Sequence, residues 1–83
     1  MATKVDIARN GSQLYATVMI PPGKEIHGSD VQRRASGAVT AWVKRHQPVT
    51  ATRRQHGNDA MTFTRAFHDG SRTVTFYYRV KAV

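Results

Sequence analysis

Four histidines, His27, His46, His56 and His68, are the side chains best suited to proton transfer or metal ligation near neutral pH. Their spacing argues against both roles. The alternating run 60–68 reads as a strand, which puts His56 and His68 beyond its opposite ends, about 25 Å apart at ~3.3 Å per residue. His27 and His46 bracket a helical pattern and are separated by a similar length at ~1.5 Å per residue. No HxxxH or HxH spacing, carboxylate pair, serine elbow or glycine-rich phosphate loop accompanies them. The chain has no cysteine, which excludes a thiolate zinc site, a disulfide framework and a cysteine nucleophile. A metal-free ribonuclease using His56 or His68 with Arg54, Tyr77 or Arg79 is the one enzyme that can be drawn, and no motif stands behind it. The expectation is a non-enzymatic protein with no metal and no cofactor.

Binding chemistry is better represented. The 83 residues carry 13 Lys+Arg against 5 Asp+Glu, a net charge of +8, which favours a polyanionic or strongly acidic partner. Glu25, Asp30, Asp59 and Asp69 fall at loops, turns and a helix start, and only Asp6 lies in a strand pattern. The positive potential of the regular elements is therefore not cancelled locally.

Those elements can be read from periodicity. Two alternating runs, together residues 3–20, flank Asn10-Gly11, a pair suited to a type I′ hairpin turn. A two-residue loop there pairs Ile7 with Leu14 and Val5 with Ala16, and puts Val5, Ile7, Leu14, Ala16 and Val18 on one face. Pro21-Pro22 ends the second strand. Ser29 and Gln32 have capping-box spacing, and a helix is expected over about 30–46, with Val31, Ala35, Ala38, Val39, Trp42 and His46 as its apolar stripe. Trp42 is its expected anchor, and Pro48 stops it.

From Val49 the pattern returns to period two. Runs at 49–56, 60–68 and 72–82, separated by Gly57-Asn58-Asp59 and Asp69-Gly70, read as a three-stranded antiparallel meander. An Asp69-Gly70 loop pairs Phe63 with Phe76 and Met61 with Tyr78, which puts Met61, Phe63, Phe67, Val74, Phe76, Tyr78 and Val80 on the helix side. A three-residue loop at 57–59 adds Val49 and Ala51. Arg53, Arg65 and Arg72 fall on that nominal inner face and are expected beyond the helix's cover, with stems packed and heads in water. The fold expected is α+β in ββαβββ order, a single domain over 1–83: a mostly antiparallel five-stranded sheet with one helix on one face. A half-barrel curled around the helix would use the same core.

Two basic surfaces follow. Arg33 and Lys44 point away from the Trp42 stripe with Gly37 and Thr40 between them, and Arg34 and Arg45 form a shoulder around Ala41. The other is the outward sheet face, with Thr50, Thr52, Arg54, Thr62, Thr64, Thr73, Thr75, Tyr77, Arg79 and Lys81, where cations and an aromatic ring suit phosphates and bases. The candidate binding residues are Arg33, Arg34, Lys44, Arg45, Arg54, Tyr77, Arg79 and Lys81. The function expected is a basic DNA- or RNA-binding module. The alternative is an accessory or inhibitor protein of phage or mobile-element type that docks on an acidic protein or nucleoprotein surface through Tyr15, Thr62, Thr64 and Tyr77. The long strand 72–82 and the Thr-rich face are compatible with a homodimer. No apolar run approaches the ~20 residues of a membrane span, and residues 1–6 lack a signal-peptide core, so a cytoplasmic protein without membrane association is expected.

Overall fold

Alternation of small polar and branched apolar residues at the start of the chain builds two strands, β1 (Lys4–Asn10) and β2 (Gln13–Ile20). A computed structural model of the chain describes residues 4–56, 59–60 and 62–82. After β2 come α1 (Gly28–Arg45), β3 (Val49–Arg53), the short pair β4 (Gln55–His56) and β5 (Asp59–Ala60), β6 (Thr62–Ala66) and β7 (Arg72–Ala82). One helix lies against one five-stranded antiparallel sheet, giving the two-layer α+β fold.

The core forms where β2, β7 and α1 meet. Leu14, Ala16, Val18 and Ile20 from β2, Phe76, Tyr78 and Val80 from β7, and Val31, Ala35, Val39 and Trp42 from α1 are all buried. Val5, Ile7, Val49, Ala51 and Val74 pack around them. Trp42 is the anchor its spacing implies, and its ring stacks on His46 at 4.1 Å and lies 5.7 Å from the Arg9 guanidinium. His46 Nδ1 lies 2.8 Å from the Trp42 carbonyl, in the tautomer that donates to it. The helix starts without the expected capping box. His27 is the N-cap and no side chain caps it; its carbonyl accepts from Asp30 and Val31 at 3.0 and 3.1 Å. Gln32 instead faces the sheet beside Arg53, and with its side-chain amide turned to satisfy both groups its oxygen accepts from the Arg53 guanidinium.

Three registers differ from the sequence reading, with different consequences. In the first hairpin Asn10 pairs with Gln13, so the loop is Gly11-Ser12 and Ile7 faces Ala16. Positive φ falls on Gly11 (+62°) and not on Asn10, the pattern of a turn with glycine at its first central position. Each pairing moves by two residues, so every side chain keeps its face.

The second difference is an odd shift. Phe63 pairs with Thr75 and Thr62 with Phe76, because the β6–β7 loop is His68-Asp69-Gly70 rather than Asp69-Gly70. Phe67 and Ser71 close it (N to O 3.0 Å), Gly70 adopts φ +90°, and Asp69 Oδ1 accepts from the Ser71 amide at 2.9 Å. One extra loop residue inverts the whole strand. Phe63, Arg65 and Phe67 therefore lie on the face away from the helix, and Thr62 and Thr64 on the helix side, the reverse of the expectation.

The third concerns the meander. β3 pairs with β7, not with β6: Val49 faces Ala82 and Arg53 faces Tyr78. β3 and β6 lie end to end along one side of β7, and β4–β5 leaves the sheet between them as a separate two-stranded ladder. His56 pairs with Asp59, so Asp59 stands in the ladder and not in the expected three-residue loop, whose Gly57 and Asn58 lie outside the described residues. Met61 and its expected pairing lie outside the described residues. β7 pairs with β2 over Arg72–Arg79 on one side and with β6 and β3 on the other, so most of its length is already bonded.

Of the three nominally inner arginines only Arg72 is exposed beyond the helix, its Nη2 donating to the Lys24 carbonyl at 3.4 Å. Arg53 is half-buried, with its guanidinium 5.5 Å from the Phe76 ring. Arg65 is on the other side of the sheet.

Candidate nucleic-acid interface

With the helix on one face, the strand registers dictate what the bare face presents. Lys4, Met19, Thr73 and Arg65 stand in one row across β1, β2, β7 and β6. The next row is Asp6, Thr17, Thr75 and Phe63. Then come Ala8, Tyr15 and Tyr77, with Arg54 alongside through its amide, which donates to the Tyr77 carbonyl at 2.9 Å. Asn10, Gln13, Arg79 and Thr52 follow, and Lys81 with Thr50 ends the face.

The centre of this grid is held by its own contacts. Tyr15 and Tyr77 meet edge to face at 5.4 Å, the Tyr15 hydroxyl donates to Gln13 Oε1 at 2.6 Å, and the Thr17 and Thr75 hydroxyls are 3.1 Å apart. These side chains are half-buried, so they form a floor rather than mobile arms.

Two phenylalanines rise from this floor. Phe63 is 56% exposed and Phe67 42%, the exposed large hydrophobics among the described residues. Removing such rings from water would normally be favourable, so their exposure on a face is informative where a single exposed leucine would not be. The Arg65 guanidinium lies 5.2 Å from the Phe67 ring, within cation–π range.

Cations share the face with these rings. Among the described residues Lys4, Arg54, Arg65, Arg79 and Lys81 share the face with one carboxylate, Asp6, at its β1 edge. Arg54, Arg79 and Lys81, with Thr52 and Gln55, line a concavity of about 340 Å³ where β4–β5 leaves the sheet. Among the described residues the ion pair is on the helix instead, Arg33 to Asp30 at 3.8 Å, and no described carboxylate lies within ion-pair distance of the sheet cations.

Of the residues singled out from the sequence, Arg54, Tyr77, Arg79 and Lys81 come together here. Arg33, Arg34, Lys44 and Arg45 are exposed on the helix, on the opposite side of a domain whose shortest dimension is 21 Å. One straight strand can engage either set, not both. Phe63, Arg65 and Phe67 were missed as site residues because the two-residue loop turned them inward. Their alternation held a signal: any face that buried both phenylalanines would also carry Arg65 towards the core, at a cost no partner offset.

His27, His46 and His68 lie at three separate element ends, and among the described residues no group of three metal-ligating side chains gathers. No helix of the described residues is long and apolar enough to cross a membrane. No known protein family, curated protein or solved structure matches the chain.

Proposed function

We propose that this chain binds single-stranded nucleic acid along the bare face of its sheet. The carrying observation is Phe63, more than half exposed on a floor of half-buried side chains, on a face that also carries Lys4, Arg54, Arg65, Arg79 and Lys81. Unpaired bases stack on exposed rings whatever their sequence, while Arg54, Arg65, Arg79 and Lys81 neutralise the phosphates between them. From Thr73 to Lys81 the face runs about 26 Å at ~3.3 Å per residue. That length suits about four nucleotides, the low end for single small modules.

A duplex hides its base faces in the stack and can offer this surface only phosphates. Fluorescence anisotropy with labelled single- and double-stranded DNA and RNA, at two salt concentrations, tests the reading. Single strands should bind at least tenfold tighter than duplexes of equal length, and the affinity should fall with salt. Equal affinity for duplexes would move the site to the helix cations. Absence of binding at low salt would mean that the cations serve an acidic protein surface.

A further inference from the structure

We infer that the hairpin end of the bare face holds a pocket for one unstacked nucleobase that carries an exocyclic amino group. The inference rests on the strand-binding reading above and gives that path a defined end.

A concavity of about 470 Å³ opens beyond the row of Lys4, Met19 and Thr73, and Phe67, Pro21 and Pro22 complete its apolar wall. Its volume falls within the roughly 300–1,000 Å³ of small-molecule sites. The wall chemistry suits a flat heterocycle: an aromatic ring, two proline rings and a thioether offer extended apolar contact with no buried donor to satisfy. Phe67 is the common element. The Arg65 guanidinium packs against its ring from the strand-binding face, so the pocket continues the path rather than standing apart from it.

The rim divides by charge. Lys4 and Arg72 also line the concavity and can meet the phosphates that flank an inserted base. Asp69 lines it too, and a carboxylate there repels phosphate while accepting from N–H groups. Its Oδ1 already accepts from the Ser71 amide at 2.9 Å and the Ser71 hydroxyl at 2.6 Å, which leaves Oδ2 for a ligand. Those two bonds, hydroxyl first, hold the Asp69 carboxyl below the usual carboxylate range, so it is ionised at neutral pH. An ionised acceptor selects a base edge bearing an amino donor, as cytosine N4 does, over uracil or thymine, which present a carbonyl at that position.

The test compares labelled hexamers of cytidine with uridine, and of deoxycytidine with thymidine, by anisotropy. Three proteins are used: the full chain, Phe67→Ala and Asp69→Asn. The asparagine keeps an oxygen for the Ser71 donors, so the turn is retained. The cytosine oligomers should bind the unchanged chain roughly tenfold tighter, the scale of one hydrogen bond to a charged group. Phe67→Ala should lower cytosine affinity about tenfold, and Asp69→Asn should abolish the preference without weakening uridine binding. Should Phe67→Ala fail to fold by circular dichroism, Asp69→Asn alone decides. Equal affinity of the unchanged chain for both bases, or a preference that survives Asp69→Asn, overturns the pocket while leaving the strand-binding face standing. Failure to bind any oligomer removes the face itself.

Discussion

Phe63 lies directly across from Thr75, and through that pairing its ring stands on the side of the sheet that α1 does not cover. Thr75 in turn shares a hydroxyl contact of 3.1 Å with Thr17 on β2. Phe63 is thus seated against the best-paired strands of the sheet although β6 itself is an edge. An exposed ring on a rigid floor loses little conformational entropy when a base stacks on it.

Affinity for single strands should fall with salt by about 0.7 log units per log unit for each phosphate contacted, so three or four contacts give a slope of roughly −2 to −3. Anisotropy titrations from low to moderate salt measure it. A flat response would remove the phosphate contacts from the account.

Trp42→Ala should lower folding stability by about 3–5 kcal/mol, the usual cost of deleting a buried aromatic side chain. The indole is 8% exposed, belongs to the core cluster, stacks on His46 and lies 5.7 Å from the Arg9 guanidinium. Urea unfolding followed by circular dichroism reads the change, and a loss below about 1 kcal/mol would mean the ring is not the helix's anchor.

Period-two and period-3.6 patterning made much of this molecule legible. β2, α1 and β7 pack as expected because Leu14, Val18, Val39, Trp42, Phe76 and Val80 hold their faces by periodicity alone. In the first hairpin the pairing moved by two residues, which periodicity forgives. What remained illegible was loop length. His68 joined Asp69-Gly70 in the turn, and that single residue turned Phe63 and Phe67 outward. Strand partnership was equally hidden: Val49 and Ala51 show the same alternation whether they face β6 or β7, and only the 11-residue length of β7 left room for β3 and β6 to share one side. The site suffered most, because its aromatic half depended on that loop while its cationic half, Arg54, Arg79 and Lys81, depended only on alternation.

Tyr78→Phe should leave the fold intact and raise stability by about 1 kcal/mol, because removing an unpaired buried hydroxyl removes its desolvation cost. Tyr78 is 5% exposed, and its hydroxyl has no hydrogen-bond partner among the described residues. Chemical denaturation of the two proteins settles it, and a clear loss of stability would show that the hydroxyl makes a bond.

The β6–β7 turn should loosen in acid. Ser71 donates from its hydroxyl and amide to Asp69, which lowers the carboxyl's folded pKa, so the stabilisation is present above the ordinary carboxylate value and is lost as pH falls through the lowered one. Amide exchange and chemical shift of Ser71 across that acidic range report it. Asp69→Ala should remove the transition, and a transition that persists would assign it to another group.

The account's central claim is that the bare sheet face, not the helix, meets the ligand. Two double variants test it most directly against one labelled single strand: Phe63→Ala with Arg79→Glu on the face, and Arg33→Glu with Lys44→Glu on the helix. All four side chains are exposed, so both proteins should remain folded. Loss of one stacking contact is worth about 1–3 kcal/mol, and the face variant, which also reverses a charge, should bind at least tenfold more weakly. The helix variant should lose much less, since its charges act only at long range through screened solvent. Loss of binding in the helix variant with the face variant unaffected would contradict the account and place the ligand on α1.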